Sequence, residues 1–198
     1  ALPALVASLS CWPQVSAYAE MKNEPAASVG KRAVMQQQFP AIFNLGSLDG
    51  TNGLIIQGLV SNGHLGSSIS TAGDINGDYI ADAVLGAPRT TSSASHVIFG
   101  SQNPFSAVFN VALINGTNGF TIPGTAASGI LGLSAGSGGD INGDNITDLV
   151  LGAPYANSSI GAGYVIFGRR GPFPASFDIN QLDGTNGFVI SGLTSGNL

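Results

Sequence analysis

The chain has 198 residues and sets 6 Lys plus Arg against 11 Asp plus Glu, for a net charge of −5 and a pI near 4.6. Only 9% of residues are charged, yet 43% are apolar and 29 are glycine, which excludes a disordered chain; the glycines do not fall on every third position, which excludes collagen. Six basic residues are too few to follow a phosphate backbone, so nucleic acid is excluded as a partner.

Residues 1–19 combine an apolar stretch with Ala17-Tyr18-Ala19, a small-x-small pattern of the kind cleaved by signal peptidase. No initiator Met or basic leader precedes it, so the segment reads as the back half of a secretion signal. The alternative is an apolar N-terminal strand or helix. The single cysteine, Cys11, cannot close an intramolecular disulfide. Residues 20–42 hold three of the six basic side chains, Lys22, Lys31 and Arg32, and a Gln36-Gln37-Gln38 run without periodicity, and read as a linker. No apolar run reaches the ~18 residues of a membrane-spanning helix.

Everything after residue 42 follows a repeat. Asp49-Gly50-Thr51-Asn52-Gly53 returns as Asn115-Gly116-Thr117-Asn118-Gly119 and as Asp183-Gly184-Thr185-Asn186-Gly187, at offsets of 66 and 68 residues. Gly73-Asp74, Gly86-Ala87-Pro88 and Phe99-Gly100 keep the same register with Gly139-Asp140, Gly152-Ala153-Pro154 and Phe167-Gly168, so a two-residue insertion lies between Pro154 and Phe167. Self-similarity at a fixed period is the mark of a repeat architecture. The units run 43–108, 109–176 and, incomplete, 177–198.

Within a unit the apolar runs are short and bounded by Gly, Asn, Asp or Pro, which predicts strands over 54–59, 67–72, 81–86 and 95–99. No window sustains helical spacing. The expected fold is all-β, with propeller blades of four antiparallel strands. Residues 43–198 hold about 2.4 periods, against the 4–8 blades of a typical closed ring. The reading is therefore a partial propeller and a fragment of a longer protein, whose remaining blades are its first partner.

The chemical signal lies in two acidic loops. Asp74-Ile75-Asn76-Gly77-Asp78-Tyr79-Ile80-Ala81-Asp82 and Asp140-Ile141-Asn142-Gly143-Asp144-Asn145-Ile146-Thr147-Asp148 share the spacing D-x-N-x-D-x-x-x-D. Alternate oxygen side chains at positions 1, 3 and 5, a backbone carbonyl at position 7 (Ile80, Ile146) and a carboxylate at position 9 suit Ca²⁺, which takes six to eight oxygens. Mg²⁺ demands a rigid octahedron and fits less well. Asn-Gly hairpin turns alone would explain Asn76-Gly77 and Asn142-Gly143, but not three carboxylates gathered within nine residues, twice. The expected affinity is weak, ~10⁻⁴–10⁻³ M, as for extracellular modules.

Leu65-Gly66-Ser67, the acidic loop, Gly86-Ala87-Pro88 and Val97-Ile98-Phe99-Gly100, followed by a better second copy from Leu131-Gly132 to Tyr164-Val165-Ile166-Phe167-Gly168, resemble FG-GAP repeats, the blade units of the integrin alpha-chain β-propeller. The resemblance implies a seven-bladed calcium-binding propeller, secreted or at the cell surface, that engages a protein or carbohydrate ligand in adhesion or recognition. It carries the ligand positions onto Asp74, Asn76, Asp78, Ile80 and Asp82, and onto Asp140, Asn142, Asp144, Ile146 and Asp148. The family often has glycine at loop position 6; Tyr79 and Asn145 stand there instead, which favours the second site. The near-uniform units and Phe173-Pro174-Ala175-Ser176-Phe177-Asp178, read as a linker, look closer to the arrays of large bacterial surface proteins than to a vertebrate integrin.

No catalytic constellation is present. His64 and His96 lack partners at metal or triad spacing, no serine lies in G-x-S-x-G, and Gly161-Ala162-Gly163 precedes no helical pattern. Arg169-Arg170 reads as a solvated loop. Asn115, Asn145 and Asn157 open formal glycosylation sequons. A binding module is the leading reading, and an accessory propeller of a secreted hydrolase, such as the phospholipase D-like enzymes that carry similar repeats, is the alternative.

Overall fold

The computed structural model describes residues 6–7, 41–88, 93–124 and 130–193. Apart from Val6–Ala7 and residues 41 and 42, the expected signal remnant and linker lie outside the described residues. Among the latter, no helix is long and apolar enough to cross a membrane.

The fold is a partial β-propeller of two four-stranded antiparallel sheets. The first blade comprises β3 (Ser68–Gly73), β4 (Asp82–Ala87), β5 (Ala94–Ile98) and β7 (Gly119–Pro123), hydrogen bonded in that order. The second comprises β8 (Ser134–Gly139), β9 (Asp148–Ala153), β10 (Ala162–Ile166) and β11 (Gly187–Ser191). A smaller sheet joins β1 (Val6–Ala7), β2 (Leu54–Gln57) and β6 (Val108–Asn110), with β2 and β6 parallel. The predicted strands are recovered within a residue or two.

The sheets are out of phase with the sequence units. The strand opening each unit pairs with the last strand of the unit before it: β7 with β5, from Gly119 opposite Ile98 to Pro123 opposite Ala94, and β11 with β10. The physical cause is the turn at 49–53, 115–119 and 183–187, which fixes the direction of the chain as it enters that strand. In the first copy Asp49 Oδ1 accepts from Thr51 N at 2.8 Å, Thr51 Oγ1 at 2.7 Å and Asn52 N at 3.1 Å, while Asn52 Nδ2 donates to the Ser47 carbonyl at 2.9 Å. The other copies repeat the contacts made by Thr N, Thr Oγ1 and Asn Nδ2. The expected linker at Phe173–Asp178 is instead part of the packed body. Phe177 N donates to the Thr121 carbonyl and Thr121 N to the Ala175 carbonyl, so the segment lies along the outer edge of β7.

The core sits between blades. Strand β4 is buried along all six residues, as its unbroken Ala-Val-Leu run requires of a strand covered on both faces. Against it Phe120 stacks on Phe173 with ring centres 4.3 Å apart and planes 4° from parallel, and Phe99 and Phe177 tilt onto the pair at 5.9 and 6.1 Å from Phe120. Leu131, Leu149, Leu151 and Ile166 complete this cluster from the second blade. A second cluster, with Leu54, Ile56, Leu85, Ile98 and Phe109, covers the other face of the first blade. The innermost strands, β3 and β8, run side by side and are rich in Ser, Ala and Gly; a Cβ added to Gly136 would stand 3.3 Å from Ser70 Oγ.

Gly86 of the Gly-Ala-Pro motif has an inter-blade reason. The Gly132 carbonyl of the second blade occupies the space a side chain would need and accepts from Ser68 Oγ at 2.8 Å. The predicted insertion after Pro154 falls on a turn at Ala156–Ser159 in which Asn157 and Ser158 are left-handed.

Candidate metal centre

Each acidic loop closes the hairpin between the first two strands of its blade, β3–β4 and β8–β9. A register shift just before the loop, between Thr71 and Gly73 and again between Ser137 and Gly139, turns the chain out of the sheet. Thr71 Oγ1 accepts from Gly73 N at 2.9 Å and Ser137 Oγ accepts from Gly139 N at 3.2 Å, which steadies the bend.

In loop 1, Asp74 Oδ1 accepts from Asp78 N at 2.9 Å and Oδ2 from Tyr79 N at 2.8 Å. Asn76 Oδ1 accepts from Asp78 N at 2.9 Å, and its Nδ2 donates to Asp78 Oδ2 at 3.0 Å. Asp78 Oδ1 accepts from Ile80 N at 2.8 Å. Loop 2 repeats these contacts with Asp140, Asn142, Asp144, Asn145 and Ile146; Asp140 Oδ1 accepts additionally from Gly143 N at 2.7 Å. Positions 1, 3 and 5 are thus brought into one hydrogen-bonded ring in both loops.

The carboxylate at position 9 is placed differently. Asp82 and Asp148 are fully buried. Asp82 Oδ2 accepts from Ile75 N at 2.9 Å and Oδ1 from Gly100 N at 2.8 Å; Asp148 does the same with Ile141 N at 2.7 Å and Gly168 N at 2.8 Å. This explains the Phe-Gly pair. The phenylalanine fills apolar space, with Phe99 buried, and the glycine lets its N–H reach the carboxylate, since a Cβ on Gly100 would meet Ile80 and the Ala81 carbonyl. Burial pushes the Asp82 carboxyl up to about 7; the Gly100 and Ile75 N–H groups pull the other way, and the charges of Asp78 and Asp74 add to the rise.

The loops offer hard oxygen donors. In loop 1 every side-chain oxygen of Asp74, Asn76, Asp78 and Asp82 carries one of these hydrogen bonds and keeps a lone pair. The donor chemistry therefore suits a calcium-type cation. In the arrangement seen, however, no three carboxylates, histidines or cysteines converge on a common point among the described residues. The carboxylates are satisfied by backbone N–H groups, so a cation would share or displace those bonds.

Tyr79 and Asn145 at position 6 are both left-handed, with φ of 69° and 64°. The backbone demand that glycine would meet is thus present, and a bulky aromatic meets it in loop 1. Arg170 supports Tyr79: its NH2 donates to the Tyr79 hydroxyl at 3.3 Å and its guanidinium lies 5.7 Å from the ring centre. Arg169 stacks over Phe173 at 4.6 Å and donates to the Pro172 carbonyl at 2.7 Å. The arginine pair lies in an exposed loop, as expected, and from there also braces the blade junction. Position 2 also matters: Ile75 is fully buried in the inter-blade core, whereas its counterpart Ile141 is 44% exposed. Sequence spacing gave no sign of this, because the neighbouring blade decides it.

His64 is exposed at a left-handed turn, and His96 is buried with its Nδ1 3.0 Å from Thr121 Oγ1. Burial pushes the His96 imidazole down to about 4.

The FG-GAP repeat family model matches residues 132–166, from the Leu-Gly turn of the second blade through its acidic loop to the end of β10. Integrin alpha-PS5 of Drosophila melanogaster is 32% identical over 100 residues, 50% of this chain and 10% of that protein's length. The chain thus spans a small part of the relative it matches. Residues 132–166 of the second blade thus match an FG-GAP repeat, and half of the chain is similar to an integrin alpha chain, in keeping with the four-stranded blades that carry the acidic loops.

Proposed function

We propose that the chain is a calcium-binding module of an extracellular or cell-surface protein, a non-catalytic propeller segment that supports adhesion or binding of a protein or carbohydrate ligand. The observation that carries the reading is the duplicated ring of Asp, Asn and Asp side chains at one place in two blades, backed in each by a buried aspartate. Six of the eleven acids lie in these loops, with no basic residue among them. Such a concentration of charge repels itself unless a cation neutralises it. Similarity to an integrin alpha chain supports the surface location and the adhesive role.

Calcium titration of the chain by calorimetry and thermal shift tests the metal. At free calcium ten times the dissociation constant each filled site adds ~1.4 kcal/mol, read as a rise in Tm. Asp140→Ala with Asp144→Ala removes the loop 2 contribution. A Tm unmoved by millimolar calcium, or binding at loop 2 that survives the double substitution, refutes the assignment.

A further inference from the structure

We infer that the two acidic loops form a coupled pair, so that ordering of loop 2 strengthens cation binding at loop 1. The inference rests on the calcium reading above. The backbone of loop 1 is gripped by the second blade: the Asp74 carbonyl accepts from Thr147 N at 3.2 Å and the Ile75 carbonyl from Arg169 N at 3.0 Å. Both donors belong to the framework of loop 2. Thr147 is its eighth position, between Ile146 and Asp148. Arg169 follows Gly168, whose N–H is held by Asp148 Oδ1 at 2.8 Å. One carboxylate of loop 2 thereby fixes, through a single peptide, the donor that holds position 2 of loop 1.

Packing follows the same route. A Cβ on Gly73, the residue before Asp74, would stand 2.7 Å from Thr147 Cβ, and a Cβ on Gly77 would stand 2.7 Å from Arg170 Cγ. Both loop 1 glycines are therefore close-approach positions for the second blade. Their counterparts Gly139 and Gly143 have nothing within 4 Å of the added atom. The contact is thus between the outer side of loop 1 and the base of loop 2. Restricting 146–148 reduces the ordering that loop 1 must undergo on binding, which couples the sites without any large movement. Linkage makes the effect reciprocal, with one factor describing both directions.

The experiment is calorimetric calcium titration of the full chain, of a loop 2 variant (Asp140→Asn with Asp144→Asn) and of a loop 1 variant (Asp74→Asn with Asp78→Asn). The expected result is a wild-type two-site constant about five-fold or more above the product of the two single-loop constants. Hydrogen exchange of the loop 1 variant should show calcium raising protection at the Thr147 and Arg169 amides. A wild-type constant equal to that product, with exchange at those amides unchanged, overturns the coupling and leaves the calcium reading standing. Absence of binding in the wild-type chain overturns both. Should a double variant fail to fold, Arg170→Ala, which leaves every proposed ligand in place, carries the test: a fall of about three-fold in the two-site constant supports the coupling route, and an unchanged constant overturns it.

Discussion

Phe120 and Phe188 occupy the same place in successive blades, the second residue of the fourth strand, opposite Val97 and Val165 respectively. Phe120 is fully buried beneath the second blade and stacked on Phe173, whereas Phe188 is half-buried and meets only the edge of Phe167 at 5.8 Å among the described aromatic rings. Truncating a fully buried phenylalanine costs about 3–5 kcal/mol, part of it the cavity and part the lost ring contacts. A ring left partly exposed forfeits only part of its transfer term, so Phe188→Ala is expected to cost about 1–2 kcal/mol. With a urea m-value of about 2 kcal/mol/M, Phe120→Ala should lower the midpoint by about 1.5–2.5 M and Phe188→Ala by less than about 1 M. Equilibrium urea unfolding by near-UV circular dichroism reads both. Equal losses from the two substitutions would refute the claim that the blade junction, and not the hairpin within each blade, carries most of the stability. A Phe120/Phe173 double-mutant cycle should return a coupling of about 0.5–1.5 kcal/mol for the stacked pair.

Gly86→Ala should destabilise by about 1–3 kcal/mol, because the new methyl meets the Gly132 carbonyl, while Gly163→Ala, whose added atom would find Ile190 Cβ at 3.8 Å, should stay within about 1 kcal/mol; thermal unfolding compares them. His96 sets an acid limit. Its folded pKa of about 4 lies below the ordinary 6.5, so the unfolded chain binds the extra proton in that window. The stability is whole above pH 6.5 and is lost as pH falls toward 4, by about 2–4 kcal/mol from this group. His96→Gln should flatten that part of the urea-midpoint profile, and a profile unchanged by the substitution would show that the imidazole is not the group responsible.

How far the sequence could be read follows from what each signal measures. The strands and turns were legible because they are local: alternating or continuous apolar runs between Gly, Asn and Asp set them, and the Asp-Gly-Thr-Asn-Gly turn closes through its own side chains. The acidic loops were legible for the same reason, as their ring of contacts spans only seven residues, 74 to 80. Partnership across long separations was not. Pairing of β7 with β5 rather than with its own unit, the seating of Gly132 on Gly86, and the two hydrogen bonds that Asp82 accepts from Ile75 N and Gly100 N all depend on a neighbour 7 to 46 residues away. The segment from Phe173 to Asp178 looked like a linker because its phenylalanines have no periodic companions. Their companions are Phe99 and Phe120, in the preceding blade.

The phase shift between unit and sheet bears on mechanical load. Strand β7 is zipped to β5 of the first blade along five residues, yet it belongs to the second unit, whose next strand, β8, is in the second blade. Neighbouring blades are therefore joined as clasped links. Pulling them apart cannot simply slide one apolar face off another, because the strand that leaves the first blade must be stripped from its ladder before the connection can lengthen. Tension applied along the array would be met first by backbone hydrogen bonds and only afterwards by the aromatic packing beneath them.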